Sequence, residues 1–206
     1  MGHAMADMAP SDDELDREFL RSIDRVGVLL RGKRFGEAVD FLRSVIARQQ
    51  DLEMRLVYMD NLATVLTLSG QHAESLAVMR EQVELAPDDP IVWCGLAWHL
   101  HIHYSGGSTD GQLNEKEALE TMDHAIAVAE RFGGTQLRHC LGDRARIAKA
   151  LGRWDVVEDS IRRILAIPDG RGVPDTAVQI DFLRKIPAGA VDPELIERLR
   201  SKHAAA

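Results

Sequence analysis

Cysteine is scarce in this sequence, and its scarcity excludes one class of protein. Only two of the 206 residues are cysteine, Cys94 and Cys140, and they are far apart in the chain. A small domain held together by disulfides is excluded, because such domains depend on many closely spaced cysteines. The count favours reduced thiols, buried or facing a groove, in a reducing compartment.

Long apolar runs and an excess of positive charge are also missing. No stretch approaches the roughly 18 apolar residues that a membrane-spanning helix needs, and the N-terminus lacks the charged-then-apolar pattern of a signal peptide. The chain has 25 Lys and Arg against 33 Asp and Glu, a net charge of −8. Nucleic-acid binders normally show a basic surface. We therefore expect a cytoplasmic protein that binds neither a membrane nor nucleic acid.

Organised catalytic motifs are missing as well. The sequence has no G-x-S-x-G turn, no glycine-rich phosphate loop followed by Lys and Ser or Thr, and no Cys/His motif. Its glycine pairs, Gly106-Gly107 and Gly133-Gly134, lie at predicted helix ends, where turn geometry accounts for them. We expect no enzymatic activity and no cofactor.

Amphipathic helical hairpins are what the sequence does contain, and residues 56–89 show one in full. In its first helix, apolar residues recur at i, i+3, i+4 and i+7, which places them on one face; they are Met59, Leu62, Ala63 and Leu66. The turn around Gly70 follows, and Pro87 ends a second helix that carries Leu76, Met79, Val83 and Leu85. Asp89 is then predicted to cap the next helix, which opens at Pro90. One hairpin cannot bury these residues alone, so copies must stack.

The hairpin recurs about four times, over residues 11–52, 56–89, 90–132 and 135–168. The apolar positions of copy one are Phe19, Ile23, Val26 and Leu30, followed by Ala38, Leu42, Val45 and Ile46. Those of copy three are Trp93, Leu96, Ala97 and Leu100, followed by Ala118, Met122 and Ala125. Those of copy four are Leu141, Ala145 and Ala148, followed by Val157, Ile161 and Ile164. The repetition predicts that each copy buries its apolar faces against its neighbours.

These copies resemble the tetratricopeptide repeat family, whose pattern reads W-x2-L-G-x2-Y, then A-x3-F, then P. Copy two meets it with Met59, Leu62, Ala63, Leu66, Ser75, Met79 and Pro87, and copy three with the positions given above. Ser75 replaces the usual Ala, Leu66 and Leu100 replace an aromatic residue, and Arg144 stands where Leu is usual. The resemblance covers about residues 19–168. It implies an all-α, right-handed α-solenoid of divergent hairpins.

The two ends of the chain are predicted to lie outside the repeats. We expect residues 1–10 to be disordered or derived from an expression vector, and a capping box at Ser11 to open the first helix. Residues 169–206 are predicted to form a linker and two C-terminal capping helices, about 175–185 and 193–202, the second capped by Asp192. These helices either cover the last hairpin or pair with another subunit.

In proteins of this family the first helices of the hairpins line a concave groove that holds peptides. The residues that the resemblance places there are Asp60, Asn61, Thr64, Thr67, Cys94, Trp98, His101, Arg146 and Lys149. They predict a polar or acidic end, an aromatic anchor at Trp98 and a basic end, suited to a partner segment with an apolar anchor and an acidic end. The alternative is that Trp98 packs against a neighbouring copy and that the basic residues are merely solvated. Only Asn61 matches the family's clamp for a chaperone's C-terminal carboxylate, so that ligand is not expected.

Two further features remain open. His99 and His103 share one helix face at i, i+4, a spacing used in helical zinc sites, but neither a neighbouring Glu nor a third ligand is evident. The turn at residues 104–113 is enlarged and is either a surface insertion or a flap over the groove. The sequence favours a protein-interaction module or adaptor that binds a peptide or partner segment. The alternatives are a homo-oligomeric scaffold and, more remotely, a metal-dependent accessory protein.

Overall fold

The computed structural model describes residues 12–105, 111–168 and 180–204, and in these ranges the chain is helical with no β-strand. Nine α-helices lie there: α1 Asp12–Arg31, α2 Phe35–Ile46, α3 Leu52–Leu68, α4 His72–Leu85, α5 Pro90–Ser105, α6 Gly111–Ala129, α7 Gly134–Ala150, α8 Trp154–Ala166 and α9 Pro193–Ala204. A short 3-10 helix, Ile180–Leu183, lies between α8 and α9.

The chain divides into two compact units, residues 1–70 and residues 71–206. We call them the N-terminal unit and the C-terminal unit. The boundary falls at Gly70, which has a φ of 80° and ends the turn after α3. It therefore lies inside the predicted second copy, between its two helices.

The N-terminal unit is built from α1, α2 and α3, with α2 packed on both of the others. Its buried apolar side chains are Val26, Leu29, Ala38, Val39, Leu42, Val45, Tyr58, Met59, Leu62, Ala63, Val65 and Leu66. Phe19 of α1 meets Tyr58 of α3 edge to face, with ring centroids 5.7 Å apart. The Arg25 guanidinium lies 4.3 Å from the centre of the Phe41 ring, a cation–π contact between α1 and α2.

The C-terminal unit contains the hairpins α5/α6 and α7/α8. Consecutive helices pack on each other from α4 to α8, α5 also packs on α7, and α9 covers α8. Except for Trp93, which is partly exposed, the apolar positions expected from the repeat are buried in both hairpins: Leu96, Ala97, Leu100, Ala118, Met122, Ala125, Leu141, Ala145, Ala148, Val157, Ile161 and Ile164. The packing of α5 on α7 brings the first helices of consecutive hairpins side by side.

Several helix boundaries follow directly from their local sequence. Pro90 opens α5, and the Asp89 carboxylate accepts a hydrogen bond of 2.8 Å from the Ile91 amide. Asp192 caps α9 in the same way, with its carboxylate 2.9 Å from the Glu194 amide. Both caps are therefore confirmed. At the end of α7, Gly152 has a φ of 69°, which lets the Arg153 amide reach back to the Ala148 carbonyl at 2.8 Å.

The predicted helix over residues 175–185 is wrong in its described part. There the chain forms a single 3-10 turn that ends at Leu183, and Lys185 has a φ of 62°. The left-handed backbone geometry of Lys185 is incompatible with a right-handed helix, so the helical run cannot reach residue 185. The predicted helix at 193–202 corresponds to α9.

Other predictions fall on residues that the structure does not describe. They concern the expected disorder at residues 1–10, the capping box at Ser11, most of the enlarged turn and the linker before residue 180. In the described ranges, no helix has both the length and the apolar character that a membrane span requires.

Candidate functional site

The predicted groove residues of the C-terminal unit lie on α5 and α7, which contact each other through Cys94 and Cys140. Trp98 and His101 follow Cys94 along α5 by one and two turns, and Asp143 and Arg146 follow Cys140 along α7 in the same way. We call Trp98, His101, His139, Asp143 and Arg146 the α5/α7 face. All five side chains are partly exposed.

The α5 side of this face is an aromatic pair. The rings of Trp98 and His101 lie 5.7 Å apart at an angle of 49°. Burial lowers the pKa of His101, an effect that the nearby Glu115 carboxylate opposes. A lowered pKa leaves the imidazole neutral at neutral pH, so this side offers a flat, largely apolar surface with a few polar atoms at its edge.

The α7 side is a trio of polar side chains, His139, Asp143 and Arg146, centred on Asp143, whose side chain is only 14% exposed. Arg146 Nη1 lies 2.7 Å from one carboxylate oxygen, and His139 Nε2 lies 3.2 Å from the other. The hydrogen bond that His139 donates to the Asp143 carboxylate raises the pKa of His139 above its usual value. The predicted basic end is therefore an ion-paired cluster. Asp143 was not predicted as a site residue. Its spacing, four residues after His139 and three before Arg146, could have indicated these contacts on one helix face.

Lys149, the second predicted basic residue, is engaged by the chain itself. Its ammonium group donates a hydrogen bond to the backbone carbonyl of Arg184. The 3-10 helix packs on α7, and its Phe182 and Leu183 are buried. The C-terminal segment therefore covers the end of α7 at which Lys149 lies. Spacing alone could not reveal this contact, because the two residues are 35 positions apart in the chain.

The structure contradicts the predicted position of Cys94 in the groove. Its side chain is 3% exposed, and its Sγ lies 2.8 Å from Cys140 Sγ and 3.6 Å from Met122 Sδ. The prediction placed it one stripe away from the core, but α5 packs on α7 along that stripe. Cys94 is therefore part of the helix interface and cannot line a solvent-filled groove.

The predicted groove residues of the N-terminal unit all lie on α3. Asp60 and Thr64 are exposed, whereas Asn61 and Thr67 are half-buried. The Asn61 side-chain amide donates a hydrogen bond of 2.9 Å to the Val57 carbonyl one turn earlier. Their part in partner binding stays a prediction.

His99, one of the two weak metal-ligand candidates, is only 7% exposed. Its Nδ1 shares a hydrogen bond of 2.8 Å with the buried Ser75 hydroxyl. Burial, and to a lesser extent the charge of His72, lower the pKa of His99 to about 4. Its Nδ1 is therefore engaged in helix packing. Among the side chains that the structure describes, no three His, Cys, Asp or Glu residues are grouped as metal ligands. The His103 side chain is not among those described. A metal site formed by His99 and His103 therefore stays a prediction.

The chain matches no protein-family model, and a search of curated proteins finds no match. Solved structures do resemble it. One is a candidate kinesin light chain of Podosopora anserina with nearly identical TPR-like repeats. The two sequences are 18% identical, the match covers 91% of this chain and 96% of that chain, and the TM-score is 0.52. A single-substitution variant of that protein gives 18% identity, coverage of 91% and 95%, and a TM-score of 0.53. The chain thus has a divergent tetratricopeptide-like repeat fold, and the predicted all-α fold class is confirmed.

Proposed function

Starting from this tetratricopeptide-like fold, we propose that the protein is a non-enzymatic interaction module that binds a segment of a partner protein on the α5/α7 face. The observation that carries the proposal is the partly exposed pair of Trp98 and His101 on α5, together with the ion pair of Asp143 and Arg146 on α7, the helix that α5 contacts. Repeat proteins bind ligands on surfaces that their stacked helices leave open. Tryptophan and arginine are enriched among the residues that dominate interface energy.

The chemistry of the face defines the segment that it fits. An apolar side chain of the partner would pack on the Trp98 ring, which offers a large contact area at a low cost in conformational entropy. An acidic group would meet the positive charges of Arg146 and of protonated His139, which together exceed the single negative charge of Asp143. We therefore propose an extended segment with an apolar anchor and an acidic residue as the ligand class.

The absence of catalysis is part of the same proposal. The serine–histidine contact between Ser75 and His99 is buried, at 1% and 7% exposure, so a substrate has no direct access to it. The lowered pKa of His99 reflects the same burial. A reducing, cytoplasmic setting is consistent with the two reduced cysteines.

The binding proposal is tested with a displayed library of random peptides selected against the full-length protein. Peptides enriched on the wild type are measured against Trp98→Ala and Arg146→Gln by fluorescence anisotropy. We expect each substitution to weaken binding by about tenfold or more. Phe132→Ala is the matched control, because Phe132 is 60% exposed in the turn between α6 and α7 and is not one of the residues of this face.

Two results would contradict the proposal. One is an unchanged Kd for Trp98→Ala when circular dichroism shows an intact helical fold. The other is the same loss of affinity in the Phe132→Ala control. Light scattering on the wild type tests the alternative function, since a monomeric protein rules out an obligate homo-oligomeric scaffold.

A further inference from the structure

The only two cysteines of the chain, 46 residues apart in sequence, meet in the interface between α5 and α7. Cys94 Sγ and Cys140 Sγ are 2.8 Å apart, and the two side chains are 3% and 0% exposed. The Met122 sulfur lies 3.6 Å from Cys94 Sγ, and the Pro90 carbonyl lies 4.0 Å from Cys140 Sγ. The thiols therefore face each other in a closed apolar site.

This arrangement is already close to that of a disulfide bond. Such a bond is about 2.05 Å long, so the sulfurs would have to approach by about 0.8 Å. Rotation about the side-chain bonds can supply a movement of this size.

We propose that Cys94 and Cys140 form a redox-responsive pair, whose oxidation links α5 to α7 by an intramolecular disulfide. The bond would connect the first helices of consecutive hairpins directly beside Trp98 and Asp143. It would fix the spacing of the α5/α7 face. The proposal stands on the thiol geometry alone and does not depend on the proposed function.

The oxidant is a small-molecule disulfide such as oxidised glutathione, and the reaction proceeds by thiol–disulfide exchange. One cysteine thiolate attacks the oxidant, a protein–glutathione disulfide forms, and one glutathione thiolate leaves. The second cysteine thiolate then attacks the protein sulfur of that mixed disulfide and releases the second glutathione. Two protein thiols are oxidised, one glutathione disulfide is reduced to two thiols, and the two protons pass to the glutathione thiolates.

The surroundings of the pair also control its rate. The hydrogen bond with Cys140, burial and the charges of Asp143 and Asp89 all raise the pKa of Cys94, so its thiolate is scarce at neutral pH. The folded, reduced protein should react slowly. Exchange should be much faster while the chain is unfolded or refolding, when both sulfurs are accessible.

The test refolds the full chain from urea in a buffer of oxidised and reduced glutathione, quenches it with acid and determines its intact mass after alkylation in denaturant. We expect a monomer that is 2 Da lighter than the reduced protein and takes up no alkylating agent. Its Tm should lie about 4–16 °C above that of the reduced form, because the bond closes a long loop. A reducing agent should abolish the difference. Cys140→Ala under the same treatment is the control and should show no such gain.

The proposal is overturned if both thiols remain alkylatable after refolding, or if they end as separate glutathione adducts. It also fails if the linked monomer has a lower Tm than the reduced form, since the bond would then distort the α5/α7 interface. A disulfide that joins two chains would contradict it as well, and non-reducing gel electrophoresis detects that product.

Discussion

At the scale of single residues, Ser75 and His99 show how one departure from the repeat pattern is accommodated by a second side chain. The repeat pattern usually has alanine at the position that Ser75 occupies. The hydroxyl that serine adds is buried. A buried hydroxyl without a partner would be costly. His99 of α5 provides the partner at 2.8 Å, so the polar substitution becomes a contact between α4 and α5.

Acid should destabilise the protein through His99. Its pKa in the folded protein is about 4, below the ordinary value of 6.5, so the unfolded chain binds a proton at a higher pH than the folded one. The stabilising contribution is complete above pH 6.5 and is lost as the pH falls toward 4. The loss should reach about 3 kcal/mol of the free energy of unfolding. Urea titrations between pH 7.5 and 4 measure it.

The control for this prediction is His99→Asn, whose side-chain amide can replace Nδ1 in the hydrogen bond to Ser75 but does not titrate. The free energy of unfolding of the wild type should fall more steeply with acid than that of the variant. Parallel curves for the two proteins would show that His99 is not the group responsible.

Arg144 marks a limit of prediction at this scale. The sequence identified it only as an arginine where leucine is usual. In the structure its guanidinium, 12% exposed, lies 2.8 Å from Asp123 Oδ1 of α6 and 2.6 Å from Asp159 Oδ2 of α8. Its partners are 15 and 21 residues away along the chain. Local spacing therefore could not identify them.

At the scale of elements, the C-terminal end of α8 is held by cations from two other helices. Arg138 of α7 donates hydrogen bonds to the carbonyls of Ile167 at 3.2 Å and Pro168 at 2.7 Å. Lys202 of α9 reaches the Ile167 carbonyl at 2.8 Å. The last carbonyls of a helix lack partners within the helix and carry partial negative charge, so cations stabilise them.

Arg138→Met should therefore destabilise the C-terminal unit by about 2–3 kcal/mol, because two carbonyls lose hydrogen bonds from a buried charged donor. Urea denaturation followed by circular dichroism measures the change. Arg162→Met is the matched control: Arg162 is exposed on α8 and forms a surface ion pair with Glu158, so its loss should leave the unfolding midpoint unchanged. Equal effects of the two substitutions would contradict the role given to Arg138.

The helices themselves were the most predictable elements. The 3.6-residue period and the caps at Asp89 and Asp192 located them well, because these signals are local. The stretch after α8 was less predictable. Phe182 has helix-like apolar neighbours in sequence, but it is buried by a 3-10 turn that packs on α7. A contact with a distant helix, rather than local periodicity, determines its conformation.

At the scale of the whole molecule, the repeat pattern predicted the fold class and the identity of the first helices, but it predicted the candidate site only in part. On an α-helix, moving along the chain by one residue rotates the side chain by about 100° and so places it on a neighbouring stripe. Cys94 and Trp98 were assigned to the same stripe, yet the first is buried against α7 and the second is half-exposed. Which stripe faces the adjacent hairpin depends on how the helices cross, and sequence period does not determine that.

The central claim is that the α5/α7 face contacts the partner segment, and site-specific photo-crosslinking tests it most directly. Benzoylphenylalanine is placed at position 101 on this face or, as a control, at position 132, and each protein is irradiated with a peptide selected on the wild type. A peptide bound on the α5/α7 face should give a crosslinked product from position 101 and none from position 132. A crosslink from position 132 with none from position 101 would contradict it.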